Sequence, residues 1–211
     1  MTMKTALFIH RSVGRNLIQE GNLRAQIGSG VALDDYDNNT GILTRSNGST
    51  EKDALIIPGN NTNPDNLAKL FYEWPALFNL YDLIIIKSCY PNSRIKDEGQ
   101  LRHIKDEYDS IIRSCGARKK QLLILTSPPL RPLHTTKTEA RLSEALANWL
   151  VVSGGHYIRV FDFHGTLSET NGRHKGMLKR EYRRLLPFDN HPNKSASLTV
   201  APLVARIIKT D

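Results

Sequence analysis

In ALFIHRSVG, residues 6–14, a short apolar run ends at a histidine and an arginine, and a serine and a glycine follow. A run this short and continuous reads as a strand buried on both faces, the kind that belongs to parallel sheets. Val13 and Gly14 then begin a helix, which leaves Ser12 at a strand-to-helix turn. A serine there has two readings. It is the cap of the helix, whose first N–H groups have no intrahelical acceptors, or it is a nucleophile with backbone donors at hand. A nucleophilic role requires a general base elsewhere in the chain.

Three further runs match the first: YDLIIIKS (81–88), QLLILTS (121–127) and YIRVFDF (157–163). Between them apolar residues recur at helical steps. Leu67, Leu70, Phe71 and Trp74 form one stripe. Leu101, Ile104, Tyr108, Ile111 and Ile112 form a second, and Leu142, Leu146, Trp149 and Leu150 a third. The terminal ASLTVAPLVARIIKTD is also helical in pattern, with Pro202 expected to kink it or begin a new turn. Residues 31–53, rich in Asp, Asn, Gly and Thr, read as long loops or a small hairpin. Alternating strands and helices predict one α/β domain over residues 1–211, a three-layer, flavodoxin-like, doubly wound parallel sheet. Sites in such sheets lie beyond the carboxyl ends of the strands. Ser12, the segment 88–92 and Ser127-Pro128-Pro129 fall there.

Composition narrows the classes. The 211 residues are 39% hydrophobic and 24% charged, an ordinary globular balance. The N-terminal apolar run is too short for a signal-peptide core or a membrane span, so no transmembrane segment is expected. Two cysteines, Cys89 and Cys115, make no disulfide framework, and a cytoplasmic location is the default expectation. No CxxC or HExxH spacing suggests a metal site, and no metal or organic cofactor is expected. The net charge of +8 is partly local: RHKGMLKREYRR (173–184) carries six Lys or Arg against one Glu. Read one way it is a solvated helix face above Leu178, Tyr182 and Leu185 or Leu186. Read the other way, Arg180, Arg183 and Arg184 attract an anionic partner, a nucleic acid or an acidic glycan.

The candidate base lies near the C-terminal end. PFDNHPNKSAS (187–197) puts Asp189 and His191 in a loop before the last helix. A histidine oriented by a carboxylate is what an activating base requires; the same residues also suit a turn that caps the helix. In order and context this chain resembles the SGNH/GDSL hydrolases along nearly its whole length. ALFIHRSVG stands where that family has its Gly-Asp-Ser block, IIPGNNTNPDNLAKLF (56–71) resembles the second block and DLIIIKSCYPNS (82–93) the third. DNHPNKSASLTVAPLVARII (189–208) resembles the block with His-Pro-Asn and its following helix. The departures are Arg11 before the serine, Val13 after it, no Gly-x-Asn-Asp in the third block, and Asp189 two residues before His191 rather than three.

The resemblance implies a serine hydrolase cleaving an acyl or acetyl ester of a small molecule, carbohydrate or lipid. Ser12 would attack, His191 would carry the proton and Asp189 would orient it. Backbone N–H groups of Ser12 and Gly59, with Asn92, would hold the oxyanion, and His10 and Asn61 would touch substrate. The alternative expectation is a degenerate, non-catalytic domain of the same fold that binds an anionic partner through the basic patch. Cys89 as a thiol nucleophile, Asp162 with His164 as a second acid–base pair, and Thr62 as a further hydrogen-bonding group complete the candidates.

Overall fold

Alternate residues of the apolar runs pack on opposite faces of one sheet. The computed structural model describes residues 3–57, 61–88 and 93–210. Five parallel strands form the body of the sheet: β1 (Lys4–His10), β2 (Val31–Asp37), β5 (Leu83–Lys87), β6 (Gln121–Leu125) and β7 (Ile158–Phe161). Two short antiparallel strands, β3 (Ile42–Thr44) and β4 (Thr50–Lys52), extend it beyond β2. The strand order is β4-β3-β2-β1-β5-β6-β7.

On one face Leu7, Ile9, Ile84, Ile86, Leu122 and Ile124 meet the buried residues of α3 (Pro64–Glu73), α4 (Leu77–Leu80), α5 (Glu98–Ala117) and α6 (Lys137–Val152). On the other, Ala6, Phe8, Leu83, Ile85, Leu123 and Leu125 meet α1 (Ser12–Gln19), α2 (Leu23–Ile27), α7 (Phe163–Leu167) and α8 (Lys194–Lys209). Both faces are dry, which explains why the central strands read as unbroken apolar runs. The result is the expected three-layer α/β fold. Thr136 and Glu139 form a reciprocal capping box at the start of α6. Pro202 neither ends nor splits α8, because it sits on the exposed side of the helix, where the carbonyl freed by its missing N–H meets water.

Two expectations need correction. Residues 31–53 are not loops with at most a hairpin: they contain β2, a full parallel partner of β1 from Lys4↔Val31 to His10↔Asp37, followed by the β3–β4 hairpin. The sheet is therefore mixed rather than purely parallel. Strand β2, VALDDYD, hides its character because three carboxylates are buried in it, each with a partner. Asp34 accepts hydrogen bonds from Tyr81 (2.9 Å) and Arg45 (3.2 Å), and Asp35 binds His10 (3.2 Å) and Arg24. Asp37 takes the Nε of Arg15.

The segment 173–184 is likewise not a helix face. Only a single 3-10 turn forms, Arg180–Tyr182, and the chain then runs into an antiparallel bridge between Arg183 and Pro192. That bridge delivers the loop before α8 to the carboxyl edge of the sheet.

Candidate active site

Strand β1 ends at His10, Arg11 is extended, and Ser12 is the first residue of α1. Arg11 occupies the capping position and supplies no side-chain cap, so Ser12 is not the cap. The helix can turn this tightly off the strand because residue 14 is glycine. A Cβ there would lie 2.2 Å from the Cβ of His10, a side chain buried at 1% exposure.

The hydroxyl of Ser12 meets the histidine of the last loop. His191 Nε2 lies 2.8 Å from Ser12 Oγ, and His191 Nδ1 lies 2.7 Å from Asp189 Oδ1. The same carboxylate oxygen accepts the backbone N–H of His191 at 2.9 Å, which holds the two residues in one tight turn. The two-residue spacing therefore brings Asp189 to the imidazole. Burial alone would raise the Asp189 carboxyl. The two bonds from His191, with the charges of His191 and Arg184, outweigh it and hold the group below the ordinary carboxylate range.

The loop is fastened at several points. Asn193 caps α8 by accepting the N–H of Ala196 (3.1 Å) and donates to the carbonyls of Glu181 (2.8 Å) and Arg183 (3.1 Å). Arg131, from the segment after β6, donates to the carbonyls of Leu186 (2.5 Å) and Asp189 (3.0 Å). Arg184 donates to the Glu20 carboxylate at the end of α1 (2.7 Å) and to the Pro192 carbonyl (3.3 Å). Its Nε stands 3.6 Å from Asp189 Oδ2. Neither Arg131 nor Glu20 is marked by any local pattern in the sequence.

These contacts also revise the basic patch. Arg183 turns inward and donates through Nε and Nη2 to the Leu178 carbonyl, and burial lowers its pKa. Arg184 is committed to Glu20 and the loop, which leaves Arg180 as the exposed member of the three. A surface that spends two of its three arginines on its own carbonyls and carboxylates does not support the anionic partner.

The remaining candidates fall elsewhere. His10 does not reach out to a substrate: its Nε2 is 3.2 Å from Asp35, its Nδ1 3.1 Å from the Arg11 carbonyl, and α1 covers it. Asn61 uses its Oδ1 to accept the N–H of Asn63 and the amide of Asn66, each at 2.8 Å, and so orders the start of α3. Thr62 is buried with an unpartnered hydroxyl. Asp162 caps α7 through the Gly165 N–H at 2.8 Å, and His164 is buried beneath it, so the pair forms no acid–base couple at the surface. Gly59, Asn92 and Cys89 lie outside the described residues. Among the described residues no group of three or more His, Cys, Asp or Glu side chains could hold a metal ion. No helix there is long and apolar enough to cross a membrane.

No family model matches the chain, and no curated protein matches it by sequence. Solved structures do match its fold. A lipase/acylhydrolase from Enterococcus faecalis superposes with a TM-score of 0.60 at 15% identity, covering 98% of this chain and 96% of that one. A putative acylhydrolase from Bacteroides fragilis gives 0.59 at 12% identity, covering 97% and 86%. A carbohydrate acetylesterase from Sinorhizobium meliloti gives 0.53 at 13% identity, covering 97% and 98%. The chain shares the three-layer α/β fold of these structures, as its resemblance to the SGNH hydrolases leads one to expect. At these identities the likeness is one of architecture.

Proposed function

We propose that this protein is a serine hydrolase of SGNH type that cleaves a small acyl or acetyl ester through Ser12, His191 and Asp189. The observation that carries the reading is the chain of two short hydrogen bonds, Asp189 Oδ1 to His191 Nδ1 and His191 Nε2 to Ser12 Oγ. Ser12 Oγ adds to the ester carbonyl carbon while its proton passes to His191 Nε2. The tetrahedral intermediate collapses, and His191 returns that proton to the departing alcohol. Water then attacks the acyl-enzyme with His191 again as base, which frees the acid and restores the serine. Asp189 keeps Nδ1 protonated and stabilises the imidazolium.

For the oxyanion, the backbone N–H of Ser12 is available, because the first turn of α1 has no intrahelical acceptor for it. Gly59 and Asn92 are the proposed further donors. The reading draws support from the neighbours, acylhydrolases and esterases by their names.

Labelling with a fluorophosphonate probe, beside turnover of p-nitrophenyl acetate, tests it directly. Wild-type protein should label and turn over, and both should vanish in Ser12→Ala and in His191→Ala. A wild type that does neither removes the proposal.

A further inference from the structure

The turn that leads into Asp189 and His191 is apolar and open to water. In LLPF (185–188) Leu185 is fully exposed, Leu186 is 70% exposed and Phe188 87%, and Leu133, from the segment after β6, is 76% exposed. The two segments are bonded to each other. Arg131 donates to the carbonyls of Leu186 and Asp189, and His134 Nε2 donates to the Pro187 carbonyl at 3.1 Å. Leu133 therefore stands beside the LLPF turn, and the four apolar side chains share one tip. Folded proteins scatter exposed leucines singly, and a contiguous group marks a contact surface.

The backbone of this tip is prepared for a dry setting. The Leu186 carbonyl also takes the N–H of Asp189, at 3.2 Å. The carbonyls of Leu186, Pro187 and Asp189 are thus all met from within the protein, and Pro187 has no N–H to meet. A surface turn can leave such groups to water. Among acyl chains each unmet one is costly.

We infer that this tip docks the protein on a lipid surface, from which the ester passes to Ser12. Phe188 directly precedes Asp189, which is bonded to His191. A tip seated among acyl chains therefore holds the His191 loop near the headgroups, the level at which lipid ester bonds lie. The exposed Lys137 follows the first segment and the exposed Lys194 the second, and both suit the lipid phosphates. A second copy or a partner protein fits less well. A stable protein pair covers roughly 800 Å² on each side with about 20–30 residues, and four side chains on one tip fall short of that. The docking stands on the surface itself; only the delivery of an ester rests on the serine-hydrolase reading.

Flotation with phosphatidylcholine vesicles measures the docking without any turnover. Wild-type protein should float with them at high salt as well as low, because apolar insertion is not screened. Leu185→Ser combined with Phe188→Ser should weaken the binding at least about tenfold, through the loss of two inserted side chains. Both side chains face water, so the fold should survive and turnover of dissolved p-nitrophenyl acetate should stay unchanged. Turnover of p-nitrophenyl palmitate held in the vesicles should fall with the binding. Wild-type protein that stays out of the vesicle fraction overturns the docking. So does flotation that the two substitutions leave intact, or that salt abolishes, which is adsorption of a chain of charge +8. A dimer in sedimentation velocity that the same substitutions dissolve also overturns it, since a second copy then covers the tip. Flotation lost only in the variant, in a protein that hydrolyses no ester, would keep the docking and remove the hydrolase.

Discussion

Arg184 grips Glu20 at 2.7 Å across 164 positions of sequence, and in doing so ties the His191 loop to the helix that begins with Ser12. The same guanidinium reaches the Pro192 carbonyl and stands beside Asp189. Half-buried ion pairs of this kind contribute little to folding alone, so the consequence should lie in alignment. Arg184→Met should lower kcat/KM for p-nitrophenyl acetate by about 10–100-fold, the scale set by a misplacement near 1 Å. Its Tm should fall by only a few degrees. Arg184→Lys should land between the two, since an ammonium keeps Glu20 but lacks the fork to reach Pro192 as well. Equal kcat/KM in all three proteins would show that the loop holds itself.

Asp189→Asn probes a different failure. The amide can still bond His191 Nδ1, but it offers a donor to a nitrogen that must keep its proton. The imidazole then settles in the wrong tautomer for accepting the Ser12 proton. We expect kcat to fall on the order of 10⁴-fold, the loss known for the same change in the serine-protease triad, while the fold survives. Steady-state turnover with far-UV circular dichroism as a control reads both.

Gly14→Ala should be more damaging than its size suggests. The added methyl would stand 2.2 Å from His10 Cβ and 2.5 Å from Cγ, and His10 has no room to withdraw. Helix α1 must lift from β1, at a cost of about 1–3 kcal/mol for overpacking, and Ser12 moves with it. Urea unfolding should show the loss, and fluorophosphonate labelling should slow in the folded fraction.

His164 sets a dependence on pH. Burial pushes its pKa down from 6.5 to about 4, against the pull of the Asp162 charge, and Nε2 has no partner. The unfolded chain therefore binds a proton near pH 6.5 that the folded chain refuses until about pH 4. Stability should be flat above that window and fall as the pH drops through it, by about 3 kcal/mol from this residue at most. Urea titrations of wild type and His164→Leu at pH 7.5 and 4.5 test this. The difference between them should move in favour of the leucine variant at low pH, and a constant difference would mean that the folded imidazole takes up its proton freely.

What the sequence displayed and what it hid follow from the range of the interactions. Strands β1, β5 and β6 were legible because two dry faces demand apolar residues nearly throughout, and β7 because Ile158, Val160 and Phe161 keep that pattern around Arg159 at the sheet edge. Ser12 and His191 were legible because each stands in a local context, a strand-to-helix turn and an Asp-x-His-Pro-Asn loop. Strand β2 was not, because the partners that make Asp34 and Asp35 tolerable come from His10, Arg24, Arg45 and Tyr81, none of them neighbours in sequence. Arg183 and Arg184 looked like surface charge for the same reason: nothing nearby announces the Leu178 carbonyl or Glu20 as their destination.

The hydrogen bond between Ser12 and His191 joins positions separated by 179 residues. While the chain is being made, the serine leaves the ribosome long before the histidine exists. Until α8 docks on α1 and α2, that hydroxyl is an ordinary alcohol. Fluorophosphonate reactivity would therefore report that α8 has been made and docked, passing over every chain still short of it.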